Sequence, residues 1–410
     1  MDIITIIYIA YSVIAFYFLF LFILIYFQNR GKIFYYPEYI QEYSLSMVVP
    51  CYNKEKTIAN TIQALLDSSY NGLKKIIVVD DCSTDNSYSI IKDFAKKFPK
   101  KIVALQTKEN TGKASGTKNY GAKFVDTELI GFTDADSYPE KNAIKQMIGF
   151  FDTEKTGAVT SQVLVKKREK FIEKLQAIEY KVIAFTRKLL GFVDSIYVTP
   201  GPLAIYRKKI FDEVGGFDES NMTEDIEITW NIISRGYKVE MPLPSKVYTS
   251  APEKFRGWYG QRIRWNIGGL QTMNKYKNVF LKKGMLGTFV LPLFILYWCL
   301  GLFGLIVLSY RIFRESIIQV LSTGYSIETQ SAILTLRDIN LTPNVLVFFG
   351  MTIFFLSLVF TITILAYLKE DEFKKTGLLS LLIYMFVYLT LYPLMLVTSL
   401  YKFLKGKYSW

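Results

Sequence analysis

The sequence predicts an α/β domain with a mostly parallel, doubly wound sheet, joined to an α-helical transmembrane region. Two observations support this fold class. In the middle of the chain, continuously apolar runs rich in Val and Ile alternate with amphipathic stretches, as parallel strands and their crossover helices do. Near both ends, long segments carry no charged residue, and each could cross a hydrocarbon core of about 30 Å. These segments are Ile3–Asn29, Gly284–Tyr310, Ile339–Leu368 and Thr376–Tyr401.

The elements of the middle region follow from the spacing of its apolar residues. In a sheet of this kind, ligands bind beyond the carboxyl ends of the strands. Pro50, Asp80, Asp81 and Asp134 all stand where a predicted strand ends, so we expect them to share one site. Strands are predicted at 45–50, 75–80, 102–105, 129–133 and 158–165, and helices at 55–68, 84–98, 112–124 and 140–151.

The uncharged segments divide the chain into four parts. The first segment is predicted to be a retained anchor, because Asp2 precedes it where a signal peptide has basic residues. The segment 317–336 contains Gln319 and Glu328 and is predicted to be an interfacial or loop helix. The parts are 1–29, an N-terminal transmembrane anchor; 30–251, the cytosolic α/β domain; 252–283, amphipathic interfacial helices; and 284–410, with three transmembrane helices at about 284–310, 344–368 and 376–401.

Basic residues beside the spans predict the orientation of the protein in the membrane. Arg311, Arg314 and Arg337 fall on the side opposite to the larger basic group and weaken the bias. The larger group marks the cytoplasmic side, so we expect a multi-pass protein of the cell membrane with a cytoplasmic α/β domain. That group consists of Arg30, Lys32, Lys282, Lys283, Lys369, Lys374 and Lys375.

Composition excludes several classes of chemistry. The chain has no histidine, which excludes His-based nucleophile activation and His metal ligands and leaves carboxylates as the acid/base groups. Three scattered cysteines do not make a disulfide framework or a thiolate metal site. A net charge of +13 suits contact with anionic membrane lipids and with a diphosphate. No nucleic-acid recognition module is visible, so we expect no nucleic-acid partner.

Two acidic clusters follow predicted strands. Asp80 and Asp81 can accept hydrogen bonds from a base N–H and a ribose hydroxyl, as a uridine nucleotide requires, or they can form a turn that caps the next helix. Asp134 and Asp136 are two residues apart, and in an extended segment both side chains could hold one hard cation together with nucleotide phosphates. Lys113 follows Gly112 at the start of a predicted helix. Its ammonium could bind a phosphate there, or the residue could simply lie on a solvated helix face.

Two further motifs precede the second span. Thr223 can cap a helix whose first turn holds Glu224 and Asp225, which is ordinary helix-start chemistry but also keeps a general base ionised. We favour Asp225 as the base, with Glu224 shaping the site. Gln261-Arg262-Ile263-Arg264-Trp265 offers guanidinium groups for a diphosphate and an indole for a sugar face. It could equally be an interfacial helix whose Trp258, Tyr259 and Trp265 anchor at headgroups.

Taken together, these motifs resemble the membrane-integrated family 2 glycosyltransferases that make β-glycans, such as cellulose, chitin, hyaluronan and poly-N-acetylglucosamine synthases. The resemblance covers roughly residues 44–275 and is nearest to the poly-N-acetylglucosamine synthases. Those synthases usually have two leading spans, whereas this chain has one. Whether this protein alone forms a secretion channel is therefore an open question. The motifs are Val-Pro50-Cys-Tyr52-Asn53-Lys-Glu55, Val-Asp80-Asp81-Cys-Ser-Thr-Asp85, Gly112-Lys113-Ala, Thr133-Asp134-Ala-Asp136, Thr199-Pro-Gly-Pro-Leu-Ala-Ile-Tyr-Arg207, Gly215-Gly-Phe-Asp-Glu, Thr223-Glu-Asp and Gln261-Arg-Ile-Arg-Trp265.

The resemblance implies a GT-A fold and an inverting displacement. Asp225 would take the proton of an acceptor hydroxyl that attacks an α-linked UDP-sugar, with UDP-N-acetylglucosamine the best guess for the donor. Asp136, with Asp134, would bind Mg²⁺ or Mn²⁺. The implied roles of the other residues are donor nucleotide binding by Pro50, Tyr52, Asn53, Glu55, Asp80, Asp81, Lys113 and Asp134, and diphosphate or acceptor contacts by Gln261, Arg262, Arg264 and Trp265.

The resemblance leaves the acceptor open between two classes. The first is a growing β-linked polysaccharide at the cytoplasmic membrane face, with or without export and accessory or secretion subunits. The second is a lipid that receives one sugar in a non-processive reaction. A membrane channel or scaffold without catalysis is disfavoured, because Asp134, Asp136, Asp225 and Trp265 are all present.

Overall fold

The computed structural model describes residues 3–282, 284–329, 345–368 and 379–406. Its strands and helices alternate through the middle region, as the apolar runs predict. The strands are β1 (Leu45–Cys51), β2 (Leu73–Asp80), β3 (Ile102–Gln106), β4 (Leu129–Phe132), β5 (Ser137–Pro139), β6 (Thr156–Thr160), β7 (Gln162–Val165), β8 (Ala204–Arg207), β9 (Lys238–Glu240) and β10 (Lys246–Thr249). The α-helices are α1 (Ile3–Asn29), α2 (Ile58–Leu66), α3 (Ser87–Lys97), α4 (Ala114–Ala122), α5 (Lys145–Ile148), α6 (Phe171–Gly191), α7 (Lys208–Val214), α8 (Glu224–Ser234), α9 (Phe255–Lys275), α10 (Leu291–Glu328), α11 (Val345–Tyr367) and α12 (Leu389–Leu404).

A seven-stranded sheet in the order β3-β2-β1-β4-β8-β6-β9 forms the centre of the domain. Strand β1 lies between β2 and β4, parallel to both, and every residue of β1 is buried. The mostly parallel sheet is therefore confirmed, with one exception. Strand β8 runs antiparallel to both β4 and β6, and the apolar pattern did not predict it.

The predicted strand 158–165 is two strands in two sheets. Strand β6 ends at Thr160 and belongs to the large sheet, whereas β7 begins at Gln162 in a small sheet of order β5-β10-β7. Between them, the Ser161 hydroxyl donates to the Leu203 carbonyl, and the Gln162 amide donates to the Ser245 carbonyl. The chain changes sheets at Ser161, a step that a continuous apolar run conceals.

Apolar clusters cover both faces of the large sheet, so the doubly wound arrangement is confirmed. Met47 and Val49 of β1 face a cluster that includes α2 and α3, whereas Val48 faces one that includes residues of α7 and α8. Helix α4 lies close to β1 because Gly121 has no side chain: a Cβ there would lie 2.6 Å from Val48 Cγ1. This close packing buries the face of α4 that bears Lys118.

Three helical segments in the described residues are long and apolar enough to cross a membrane: Ile9–Lys32, Leu286–Tyr325 and Leu379–Leu404. A further apolar helix, α11, covers most of the predicted span 344–368. Helix α10 continues without interruption to Glu328, so it extends beyond the predicted span 284–310 and includes the first part of 317–336. No Gly or Pro stands between Tyr310 and Ser322 to end the helix. Residues 330–336 lie outside the described part of the chain.

Helix α9, within the predicted interfacial region, is packed between the domain and the last helix. Trp258 is 1% exposed and meets the Tyr392 ring of α12 edge-on. The Tyr259 hydroxyl is hydrogen-bonded to Thr398, 2.8 Å away. Anchoring of Trp258 at lipid headgroups is therefore wrong: tertiary packing against α12 encloses this side of α9.

Candidate active site

Lys118 joins two of the acidic motifs that the sequence singles out. Its ammonium lies 2.9 Å from Glu224 Oε1 and 3.7 Å from Asp134 Oδ1. The Lys118 side chain is 3% exposed, so these contacts lie in the interior of the domain. The turn after β4 and the start of α8 therefore meet over α4, as a shared site requires.

Asp134 and Asp136 lie in a turn rather than in the extended segment that the sequence suggests. The Ser137 amide donates to the Asp134 carbonyl, which closes the turn between β4 and β5. Asp136 Oδ2 accepts a hydrogen bond from the Lys54 ammonium at 2.6 Å. Burial opposes the charge of Lys54, but the negative charges of Asp136 and Asp134 outweigh it and raise the pKa of Lys54. The two carboxylates thus share one cationic neighbour.

The Thr199–Pro202 segment closes the site from the side of β8. A Cβ on Gly201 would lie 2.8 Å from Asp134 Oδ2, so a glycine allows the backbone to approach this carboxylate. The Thr199 hydroxyl is hydrogen-bonded to the Thr229 and Tyr206 hydroxyls and lies 3.4 Å from the Asp225 carbonyl. This segment therefore ties the sheet to the first turn of α8.

The two carboxylates at the start of α8 have opposite pKa shifts. Burial raises the pKa of Asp225 to about 6, and repulsion by Glu224 adds to the rise. Burial also opposes ionisation of Glu224, but the ammonium of Lys118 outweighs it and holds the pKa of Glu224 below its usual value. Glu224 is thus the fixed anion of this pair, and Asp225 is the group poised to exchange a proton near neutral pH.

Asp134 is a third carboxyl beside Lys118. Its side chain is 36% exposed, yet burial among protein groups raises its pKa. The described structure has a surface hollow of about 490 Å³ beside Ala64 and Pro139, but none of the predicted site residues lines it.

Helix α9 brings the Gln261–Trp265 motif against the start of α8. A Cβ on Gly268 would lie 2.0 Å from Thr223 Oγ1, so the two helices touch at that glycine. The Met222 amide donates to Gln271 Oε1, and Arg264 Nη1 lies 3.4 Å from the Met222 carbonyl. The positive charge of Arg264 favours the ionised forms of Glu224 and Asp225, so its guanidinium lies near both carboxylates.

Arg262 is held by protein groups in this structure, and its contact with a diphosphate stays a prediction. It is 1% exposed and forms a two-pronged ion pair with Glu179 of α6 through Nε and Nη2. The Trp265 ring stacks on its guanidinium carbon at 4.0 Å, and Gln261 Oε1 accepts from its Nη1 at 2.7 Å. In this structure Arg262 and Gln261 hold α9 to α6, because a nearer carboxylate already uses the fork of Arg262.

The predicted nucleotide loop is built by contacts between residues 50–55 and 82–87. Asn53 has a φ of 52° and accepts the Thr84 amide at 2.8 Å, while Glu55 Oε2 accepts the Asn86 amide at 3.1 Å. Tyr52 is 48% exposed beside them, and Pro50 is buried in β1. These contacts leave the binding role of the loop a prediction.

The Asp80–Asp81 pair is more engaged than the sequence suggests. Asp81 accepts hydrogen bonds from the Thr107 hydroxyl at 2.9 Å and from the Thr111 amide and hydroxyl. Asp80 Oδ2 accepts from Ser83 and Gln106, whereas its Oδ1 is buried with no partner in the described structure. Asp81 therefore fastens the loop before α4, and uridine binding by either residue stays a prediction.

Lys113 lies at the surface, apart from the Lys118 cluster. Its ammonium donates to the Glu219 carbonyl at 2.7 Å, in the loop that precedes α8. Gly112, with a φ of 73°, turns the chain into α4. A phosphate contact by Lys113 is untested, and it would require release of the Glu219 carbonyl.

Lys54 and Lys118 are site residues that the sequence did not single out. Lys54 lies within the Pro50–Glu55 motif, and Lys118 lies in a helix whose neighbouring residues are small. A lysine among Ser115, Gly116 and Thr117 could have been recognised as buried, because such residues permit close packing. Its carboxylate partners could not have been identified, since Glu224 is 106 positions away.

The donor set suits a hard divalent cation. Asp134 and Asp136 offer the oxygen ligands that Mg²⁺ prefers, and the Lys54 ammonium already places a positive charge at Asp136. Within the described ranges, no group of three or more His, Cys, Asp or Glu is arranged to hold a metal. The protein would then supply two ligands and leave the others to phosphate and water, as is common for Mg²⁺.

The sequence is similar to that of known proteins. Residues 46–215 match the protein family described as "Glycosyl transferase family 2". A poly-beta-1,6-N-acetyl-D-glucosamine synthase from Staphylococcus epidermidis is 30% identical over 238 residues, which are 58% of this chain and 57% of that protein. Its namesake from Staphylococcus aureus is 28% identical over 231 residues, 56% of this chain and 55% of that one. The chain thus spans little more than half the length of these curated relatives.

A solved structure shares the fold over almost the whole chain. It is the mannosyltransferase PcManGT from Pyrobaculum calidifontis in complex with GDP-Man and Mn²⁺. The two have a TM-score of 0.60 at 16% identity, and the match covers 97% of this chain and 99% of that one. The expected GT-A fold is confirmed.

Proposed function

Since residues 46–215 form a glycosyltransferase family 2 domain, we propose that this protein transfers a sugar, with inversion, from a UDP-sugar to a glycan at the membrane. The observation that carries the proposal is the convergence of Asp134, Glu224 and Asp225 around the buried ammonium of Lys118. Three carboxylates and one fixed cation would line a site in which the base and the nucleotide diphosphate occupy separate positions.

Asp225 is the general base of this proposal. A carboxyl with a pKa of about 6 is mostly ionised at pH 7 and is more basic than an ordinary aspartate. It would take the proton of the acceptor hydroxyl as that oxygen attacks the anomeric carbon. Glu224, kept ionised by Lys118, raises the basicity of Asp225 by repulsion.

The donor would lie along the carboxyl ends of β1, β2 and β4. Residues of the Pro50–Glu55 loop and the Asp80–Asp81 pair would line the uridine, and Asp134 would border the phosphates. Asp134 and Asp136 would hold Mg²⁺ or Mn²⁺, which would supply positive charge to the departing diphosphate. Arg264 would add a cation from the α9 side. Trp265, whose ring lies on the Arg262 guanidinium, would offer its other side to the acceptor sugar.

The names of two relatives support a polysaccharide product and N-acetylglucosamine as the sugar. The relatives from Staphylococcus are named as synthases of poly-beta-1,6-N-acetyl-D-glucosamine. Helix α9, which carries the Gln261–Trp265 motif, packs against α12, so the proposed site would lie beside helices that can cross a membrane. A catalytic domain on the cytoplasmic side would meet UDP-sugars there, and accessory or secretion subunits would serve export.

Product size tests this proposal. Membranes that contain the protein are supplied with labelled UDP-N-acetylglucosamine and Mg²⁺, and the products are separated by mass and by partition into organic solvent. The proposal predicts a high-mass β-glycan, and none with Asp225→Asn. A product that partitions with lipid and carries one added sugar would reject the polymer and establish the lipid acceptor instead.

A further inference from the structure

Glu179 of α6 is a buried carboxylate that joins three helices. Its residue is 3% exposed. From α9, Arg262 Nε donates to Glu179 Oε1 at 3.0 Å, and Arg262 Nη2 donates to Oε2. From α12, the Tyr392 hydroxyl donates to the same Oε1. One carboxylate therefore holds both the helix of the Gln261–Trp265 motif and a helix of the segment Leu379–Leu404, which can cross a membrane.

The Trp265 ring rests on this junction. Its centre lies 4.0 Å from the guanidinium carbon of Arg262. The ring of Tyr180, the residue after Glu179 in α6, packs on the indole as well, with ring centres 6.4 Å apart. Helix α6 thus supports Trp265 directly through Tyr180 and indirectly through the Glu179–Arg262 pair. The position of the indole depends on how the guanidinium beneath it is held.

Tyr392 stands at an irregular part of its helix. A π-helical turn, Tyr384–Tyr388, precedes it, and Pro393 follows it inside α12. A proline in a helix interior removes a backbone hydrogen bond, and π-helical turns are frequent at functional sites. The hydrogen bond to Glu179 therefore ties this irregular turn of α12 to the α/β domain.

The Tyr392 hydroxyl adds a third donor to a buried anion. Arg262 directs one N–H to each oxygen of Glu179, and the hydroxyl shares Oε1 with Arg262 Nε. Hydrogen bonds to an ionised group are stronger than those between neutral groups, and a buried charge that loses a donor is costly. Loss of the hydroxyl should therefore shift the Glu179–Arg262 pair, and the Trp265 ring that lies on it should move too.

We infer that Glu179 and Tyr392 are positioning residues for acceptor binding, which act through Arg262 to fix the Trp265 ring on which the acceptor sugar stacks. The inference rests on the proposed function, in which Trp265 contacts the acceptor. It adds that acceptor binding depends on one hydroxyl of a helix that can cross the membrane. Binding of the donor, at the carboxyl ends of β1, β2 and β4, does not depend on that hydroxyl.

The position of the indole can be measured without catalysis. Full-length protein in detergent is labelled with fluorotryptophan, and the fluorine NMR signal that Trp265→Phe removes is assigned to Trp265. Tyr392→Phe deletes the hydroxyl and keeps the ring, and we expect it to shift the Trp265 signal. Thr398→Val is the matched control, because it deletes a hydroxyl that links α12 to Tyr259 of α9 at 2.8 Å, outside the Glu179 junction. This control should leave the Trp265 signal in place.

Kinetics of sugar transfer give the second measurement. The acceptor is a β-1,6-linked N-acetylglucosamine pentamer, and the donor is UDP-N-acetylglucosamine. We expect Tyr392→Phe to raise KM for the pentamer about fivefold, the effect of one lost hydrogen bond, and to leave KM for the donor unchanged. Thr398→Val should change neither KM. A merely structural hydroxyl would not separate the two substrates in this way.

Three outcomes would overturn the inference. An unmoved Trp265 signal in Tyr392→Phe would show that the hydroxyl does not position the indole. A shifted signal with an unchanged pentamer KM would show that this position does not govern acceptor binding. Equal rises in both KM values, or the same behaviour in Thr398→Val, would assign the hydroxyl to general packing. The proposed function fails separately, if Asp225→Asn keeps its turnover.

Discussion

The ammonium of Lys118 lies 2.9 Å from the Glu224 carboxylate, and both side chains are almost fully enclosed. This contact fixes α4 to the first turn of α8 and stands between Asp134 and Asp225. A buried cation among several carboxylates decides which of them stay ionised, so the chemistry of the site depends on this one pair.

Lys118→Met should destabilise the domain strongly. Removing one partner of a buried pair leaves the Glu224 carboxylate uncompensated, which costs about 3–5 kcal/mol. Lys75→Met is the matched control, because its partner Asp126 is exposed and such pairs contribute about 0–1 kcal/mol. Denaturant unfolding followed by tryptophan fluorescence measures both. Equal stability of the two variants would contradict a buried Lys118–Glu224 pair.

Lys54→Met should tighten divalent metal binding. The Lys54 ammonium lies 2.6 Å from Asp136 and competes with a metal ion for that carboxylate. Removing it should raise Mn²⁺ affinity by several-fold, which electron paramagnetic resonance of free Mn²⁺ can measure without nucleotide. Lys238→Met, which breaks a comparably exposed pair with Asp194, should have no effect. Weaker Mn²⁺ binding in Lys54→Met would show that this lysine does not compete with the metal.

Arg262 should contribute to folding stability, whereas Arg264 should contribute to the rate of sugar transfer. Arg262→Met breaks the buried pair with Glu179 and should cost about 3–5 kcal/mol of folding stability. Arg264→Met removes a cation near Asp225 and should lower the transfer rate while leaving stability within about 1 kcal/mol. Unfolding curves and initial rates on the same preparations separate the two effects. Loss of rate with unchanged stability in Arg262→Met would support its predicted contact with the diphosphate.

Gly268→Ala should separate α9 from α8. A methyl group at this position would stand 2.0 Å from Thr223 Oγ1, so one helix must move and carry Arg264 away from Asp225. Gly269→Ala is the control, because its nearest contact is an ordinary 3.8 Å to Phe294. We expect Gly268→Ala to lower both the melting temperature and the transfer rate, and Gly269→Ala to change neither. Equal behaviour of both variants would mean that the contact at Gly268 does not position α9.

The sequence predicted the parts of the fold that depend on local pattern. Apolar runs predicted the positions of β1 to β4, and long segments without charged residues predicted the helices that can cross a membrane. It did not reveal that β8 runs antiparallel or that α10 continues past Tyr310, because strand direction and helix ends depend on distant packing.

The same limit applies to the site. Strand ends placed Asp134 in a shared site and the family resemblance added Asp225, but the lysine that joins them was unassigned. Arg262 shows the converse: its motif predicted a ligand contact, whereas a carboxylate 83 positions earlier already holds the side chain. Which face of a helix meets which partner is a tertiary property that residue types and spacing leave undetermined.

The identity of the base is the central claim, and the pH dependence of sugar transfer tests it most directly. Because Asp225 has a pKa of about 6 and must be ionised to accept a proton, the wild-type rate should fall as pH drops below 6. Asp225→Asn cannot accept the proton and should lose at least 100-fold in rate at pH 7.5, consistent with the size of general base effects. Asp194→Asn, at an exposed aspartate paired with Lys238, serves as the control. A rate in Asp225→Asn within tenfold of the control, with the acid limb of the profile intact, would contradict the account.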